Sequence, residues 1–126
     1  MSDRRSTRPR IVEKPWGHER IWAETDRYAG KVLVIETGKR LSLQFDERKL
    51  ESILVISGRL LLHLEDADGM VRTSELGPGD ACLISVGRQH RYEALERVEL
   101  FEVSSPELDD VVRLSDDFGR EGTSSP

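Results

Sequence analysis

A glutamate stands at the head of the most apolar stretch of this chain. Glu51 opens Ser52-Ile53-Leu54-Val55-Ile56, a run apolar on both faces of an extended backbone, which reads as a strand buried on both sides. A carboxylate leading into such a strand is costly unless its charge is compensated. A bound metal ion would supply that compensation, and an ion pair to Lys49 or Arg91 is the structural alternative. Just upstream, Leu41-Ser42-Leu43-Gln44-Phe45-Asp46 alternates strictly, so Gln44 and Asp46 share a face with Ser42 while Leu41, Leu43 and Phe45 share the other. A surface strand would show the same alternation with its polar face in water. The buried run behind Glu51 tips the reading towards an inward-facing set.

The rest of the chain reads as short β-rich runs separated by turn residues: 18–24, 31–36, 40–45, 52–56, 60–64, 71–74, 81–84, 90–94 and 99–103. Ser57-Gly58-Arg59 and the stretch around Gly69 are expected as hairpin turns, and Gly77-Pro78-Gly79-Asp80 as a tight turn before a strand. Strands this short and regularly spaced, without helical periodicity between them, predict an all-β sandwich or barrel and not a doubly wound α/β sheet. One short helical turn is expected over residues 106–114, with Ser105 as N-cap and Pro106 in the first helical position. Residues 1–10 are expected to be a disordered basic arm, 11–118 a single domain, and 119–126 a flexible tail.

At 126 residues with a net charge of −5, the chain is one acidic domain, and a nucleic-acid surface is not expected. Arg4, Arg5, Arg8 and Arg10 are read as a solvated terminus. The chain shows no apolar run of membrane-spanning length and no signal-peptide pattern, so no membrane contact and a cytoplasmic location are expected. One cysteine, Cys82, excludes an internal disulfide framework. No nucleophile elbow, zinc-finger spacing or phosphate-binding glycine loop is present.

The spacing Gly38, Gln44-x-Asp46, Glu51, Gly58, followed by Gly79, Gly87 and His90, resembles the two motifs of the cupin superfamily. Gln44 and Asp46 stand where that family has two histidines. Ser85 replaces its usual proline and Ala94 its usual asparagine. Flanking residues narrow the resemblance. Lys14-Pro15-Trp16-Gly17, Leu41-Ser42-Leu43-Gln44, Ser57-Gly58, Leu108-Asp109-Asp110-Val111-Val112-Arg113-Leu114 and Phe118-Gly119-Arg120 occur in the order found in the type II mannose-6-phosphate isomerase domain. In that family the domain is the C-terminal half of proteins that begin with a mannose-1-phosphate guanylyltransferase. Activity on GTP is not expected here.

The resemblance implies a double-stranded β-helix, a jelly-roll-like barrel, that forms a homodimer. The apolar outer face of Leu41, Leu43 and Phe45 is itself expected to pack against a second copy, with Val32, Val34 and the Trp16 and Trp22 region beside it, the alternative being a monomer in which residues 11–22 fold over that face. It also implies a divalent metal (zinc, manganese or similar) on Gln44, Asp46, Glu51 and His90, with Asp46 in place of a histidine and so a preference for harder ions. Where the family reads Arg-Ala-Glu-His-Trp this chain has Lys49-Leu50-Glu51-Ser52-Ile53. Lys49 keeps a charge without the planar fork of arginine, and Ser52 keeps no imidazole. The activity implied is aldose–ketose isomerisation of a sugar phosphate through an enediol, with Lys49, Lys31 and Arg91 as phosphate or enediolate partners. Two alternatives stand beside it: a non-catalytic cupin binding a sugar or sugar nucleotide, and a metal-dependent oxygenase.

Overall fold

The alternating runs become ten antiparallel strands and no helix in the computed structural model, which describes residues 8–124. They are β1 (Arg10–Lys14), β2 (Gly17–Glu24), β3 (Ala29–Ile35), β4 (Leu43–Asp46), β5 (Glu51–Glu65), β6 (Val71–Leu76), β7 (Ala81–Ile84), β8 (His90–Ser104), β9 (Val111–Ser115) and β10 (Gly122–Ser124). Two long strands organise the molecule. The second half of β8 and the first half of β5 pair in a wall ordered β1-β2-β3-β8-β5-β7. Their other halves pair in a wall ordered β10-β9-β4-β8-β5-β6. The result is a double-stranded β-helix, as the motif spacing implied.

The walls enclose a core of Leu33, Ile35, Ile53, Val55, Leu60, Leu62, Tyr92, Ala94, Val98 and Leu100, sealed by Trp16, Leu41 and Ile84. Along β5 and β8 every second side chain faces this interior, so Glu51, His90 and Glu102 continue the rows that supply the core. The apolar residues fill one part of the interior, and these polar ones are gathered in the other.

Several expectations are corrected. Ser57-Gly58-Arg59 is a bulged bend within one continuous strand, where the β5–β8 register shifts between Val55 and Leu60. Gly58 has φ +86°, and a Cβ there would collide with the carbonyl of Arg97, so only glycine lets the two long strands bend together. The helical turn at 106–114 does not form. The Asp110 carboxylate accepts from the backbone N–H groups of Arg48 and Lys49 at 2.7 and 3.0 Å, and the β-branched Val111-Val112 pairs with β4.

Arg10 lies in β1, and Gly122–Ser124 form β10 from the segment expected as a tail. Arg4 and Arg5 lie outside the described residues. Leu41 is buried against its own chain, and Leu43 and Phe45 are half-buried. On the other wall Trp22 and Phe101 are open to solvent and flank Val32.

Candidate metal centre

Three strands deliver three metal-ligating side chains to one point. Asp46 ends β4, Glu51 opens β5 and His90 opens β8, and one donor atom from each lies within 4.8 Å of the other two. Asp46 is 3% exposed, Glu51 2% and His90 1%. His90 Nε2 is 3.3 Å from Glu51 Oε1 and 3.9 Å from Asp46 Oδ2. Hydrogen bonds at the back of each group fix which atom faces inward. His90 Nδ1–H donates to the Arg88 carbonyl at 2.9 Å, which leaves Nε2 as the lone-pair nitrogen of the neutral ring. Tyr92 donates its hydroxyl to Glu51 Oε2 at 3.1 Å, leaving Oε1 free.

Those inward atoms make no hydrogen bond. Asp46 Oδ1, Glu51 Oε1, His90 Nε2 and Glu102 Oε2 are buried without a hydrogen-bond partner. Orphaned acceptors are costly in an interior, and several converging on one point fit a bound cation. The charge balance agrees. Glu19, Asp46, Glu51 and Glu102 are countered within the cluster by Lys31 and Lys49, leaving a formal −2 that a divalent ion would neutralise. Two carboxylates and one imidazole suit a hard-to-borderline ion. Asp46, Glu51 and His90 thus make a set able to hold a divalent metal.

The ionisation of the cluster follows from its crowding. Burial raises the Glu51 carboxyl, but the Lys49 ammonium and the adjacent His90 outweigh it and hold the group well below the usual range. Burial and the neighbouring Glu51 charge push Glu102 up to about 7. Burial pulls the His90 imidazole down, but the Glu51 carboxylate 3.3 Å from its Nε2 outweighs this and raises it.

Glu102 and His90 therefore bind protons more tightly folded than unfolded. The folded metal-free chain holds the extra protons between about pH 4.5 and 7, so its stability falls as pH rises through that window, and His90 extends the loss above 6.5. In EDTA the protein should melt at a higher temperature at pH 5 than at pH 8. A divalent cation should narrow or reverse that order by taking the protons' place. A metal-free melting temperature that climbs from pH 5 to pH 8 would contradict this ionisation pattern.

The residues expected from the sequence divide. Gln44 shares the inner face with Asp46 and pairs directly with His90 across the sheet, but its Oε1 accepts from the Ser42 hydroxyl at 2.6 Å. Lys49 lies inside the cluster, 3.8 Å from Asp46 and 4.0 Å from Glu51. Lys31 stands behind it, 3.3 Å from Glu19 and 3.8 Å from Glu102.

Arg91 is not part of the site. It follows His90 on β8 and so faces the opposite way, with its guanidinium donating to the carbonyls of Leu41 and Ser115 at 2.7 and 3.2 Å. Ser52 likewise points away from Glu51, towards Leu83 and Val103 on the neighbouring strands, so the missing imidazole there removes nothing from the Asp46, Glu51 and His90 cluster.

Sequence reasoning missed Glu102 and Glu19, both buried and inward-facing, and the cations Lys14, Arg113 and Arg120. Those three line a cavity of about 40 Å³ together with Lys31, Gln44 and Lys49. The Lys14-Pro15-Trp16-Gly17, 108–114 and Phe118-Gly119-Arg120 motifs were the available signals for them.

Comparison with known proteins agrees with this architecture. A model of the mannose-6-phosphate isomerase C-terminal family matches residues 2–116. The chain is 31% identical over 116 residues to a mannose-1-phosphate guanylyltransferase of Escherichia coli K12, covering 88% of this chain and 23% of that protein. It is 29% identical over 114 residues to the alginate biosynthesis protein AlgA of Pseudomonas aeruginosa, covering 86% of this chain and again 23% of the relative. The chain thus spans about a quarter of the length of these relatives.

Among solved structures, KdgF from Halomonas superposes with a TM-score of 0.69 at 22% identity, over 78% of this chain and 88% of that one. Bacillus subtilis oxalate decarboxylase superposes with a TM-score of 0.75 at 18% identity, over 84% and 30%. These two likenesses speak to the fold. By the family match and the double-stranded β-helix together, the chain belongs to the mannose-6-phosphate isomerase C-terminal family of cupin domains.

Proposed function

We propose that this domain interconverts an aldose phosphate and a ketose phosphate, mannose 6-phosphate and fructose 6-phosphate being the pair its family name suggests, at a divalent ion held by Asp46, Glu51 and His90. The observation that carries the reading is the convergence of three buried, unpartnered ligand atoms beside a buried ammonium. When bound, the ion polarises the oxygens at C1 and C2 of the substrate. Lys49 lies beside it, and burial, which lowers its affinity for protons, is outweighed by Glu102, Glu51 and Asp46, so its charge is retained. That fixed positive charge favours the negative charge that develops on the enediol oxygens. Glu102 and Glu19 are the interior carboxylates left over from ligation, and Glu102, whose Oε2 accepts no hydrogen bond, is assigned the proton transfer between carbons.

One observation favours a second reading, a cupin that binds an anionic sugar without turning it over. The cavity of about 40 Å³ has room for a small anion or a few waters and not for a whole hexose phosphate. Incubating the metal-loaded protein with mannose 6-phosphate deuterated at C2 separates the two. The isomerase reading expects fructose 6-phosphate to appear with loss of deuterium to solvent, abolished in Glu51→Gln. Saturable binding with no exchange under zinc, manganese or magnesium would remove the isomerase and leave the binder.

A further inference from the structure

We propose that Arg113, with Lys14 and Arg120, forms a phosphate-binding cradle at the edge of the interior cavity, separate from the metal ligands. Arg113 lies on β9 with its side chain inward and is 7% exposed. Its Nε and Nη1 are buried with no hydrogen-bond partner, and it makes no ion pair among the described residues. A guanidinium that has left water without a carboxylate or carbonyl to receive it is a site missing its ligand.

The surrounding charges say what the ligand is. Five cationic side chains, Lys14, Lys31, Lys49, Arg113 and Arg120, line the cavity with Glu19. Three of the five are committed: Lys31 to Glu19 and Glu102, Lys49 to Asp46, Glu51 and Glu102, and Arg120 to Asp116 at 2.7 Å. Lys14 makes no ion pair among the described residues. Burial and the nearby Lys31, Arg113 and Arg120 charges hold its ammonium below the usual range. Two uncommitted cations beside a third want an anion with more than one charge and several acceptor oxygens. The planar fork of arginine matches phosphate in both respects. The cavity has the volume for such a group.

The register gives the cradle its relation to the metal ligands. His90 on β8 pairs with Gln44 on β4, and Gln44 pairs with Arg113 on β9. Arg113 therefore stands two strands from His90 on the same inner face, about 10 Å away. A ligand with phosphate at one end and carbonyl and hydroxyl oxygens at the other would reach from cradle to metal. That placement of a single ligand rests on the isomerase reading. The cradle itself does not, since its evidence lies in Arg113 and its neighbours.

The test uses the full chain in EDTA, titrated with inorganic phosphate, mannose 6-phosphate and mannose, and read by melting temperature and by the NMR signal of Arg113 Nε–H. Phosphate and mannose 6-phosphate should raise the melting temperature and shift that signal, and mannose should do neither. Arg113→Gln, which removes the unpaired charge, should weaken phosphate binding at least tenfold while leaving metal affinity unchanged. Lys14→Gln, on a half-buried residue, should weaken it several-fold, and it decides the matter if Arg113→Gln does not fold.

No phosphate response in the parent, or equal binding by the variants, overturns the cradle. Turnover of mannose 6-phosphate that ignores Arg113 also overturns it and leaves the isomerase reading intact. Phosphate binding through Arg113 with no deuterium loss from the substrate does the reverse.

Discussion

A Lys49→Met variant is expected to lose about 3–5 kcal/mol of folding stability at pH 8 in EDTA, the scale of stripping one partner from a buried ionic cluster. The Lys49 ammonium lies 3.8 Å from Asp46, 4.0 Å from Glu51 and 3.9 Å from Glu102, and is 7% exposed as a residue. Methionine keeps an unbranched apolar stem, one atom shorter, and removes the ammonium. Three buried carboxylates then face one another with Lys31 as the remaining counter-charge in the cluster.

Protonation relieves that repulsion, so the loss should shrink at pH 5. A divalent cation should restore much of it at pH 8 by standing in for the ammonium. Thermal melts at the two pH values, with and without manganese, measure all three effects, and the pH 8 fall should be on the order of 10 °C or more. A loss below about 1 kcal/mol, the scale of a solvent-exposed pair, would mean that Lys49 is not holding the carboxylates together.

Glu51→Gln should have the opposite profile, with large effects on metal and small ones on the metal-free fold. Glutamine is isosteric and can still accept from the Tyr92 hydroxyl, but it offers the centre no charge. Metal affinity should drop by on the order of 100-fold or more, since even changes to groups behind a metal ligand cost 10–100-fold. The metal-free protein has a compensation within reach. Burial and the charge on Glu51 keep Glu102 protonated up to about pH 7, and removing that charge lets Glu102 ionise beside Lys31 and Lys49. Chelator-competition titrations give the affinity and EDTA melts give the stability. Unchanged metal affinity would exclude Glu51 as a ligand.

The β-architecture was legible because its strands alternate with period two and its turns carry their usual residues. The same rule that made Gln44 and Asp46 legible as one face, applied to His90, excludes Arg91. It sits one residue from His90 and bears the charge expected of a phosphate partner, yet adjacent strand residues face opposite ways. Glu102 was invisible for a related reason. Phe101-Glu102-Val103 reads as a strand with its polar residue outward, and only pairing of β8 with β3 and β5 turns Glu102 inward and leaves Phe101 and Val103 exposed.

Gly58 announced a bend, but whether the bend is a hairpin or a bulge depends on the partner strand, since the carbonyl of Arg97 is what excludes a side chain there. Arg113 was hidden inside a segment read as helical. The side-chain contacts of Asp110 and the pairing of Val111 and Val112 with β4, rather than local propensity, made that segment a strand.

The central claim is that Asp46, Glu51 and His90 bind one divalent ion in the interior of this barrel. Crystals grown with manganese or zinc and measured at the metal's absorption edge test it most directly. A single strong anomalous peak is expected inside the barrel, bonded to Glu51 Oε1, His90 Nε2 and an Asp46 oxygen at roughly 2.0–2.3 Å, with Lys49 displaced from its present contacts. A peak confined to surface carboxylates, with the Lys49 ammonium still seated among Asp46, Glu51 and Glu102, would contradict it.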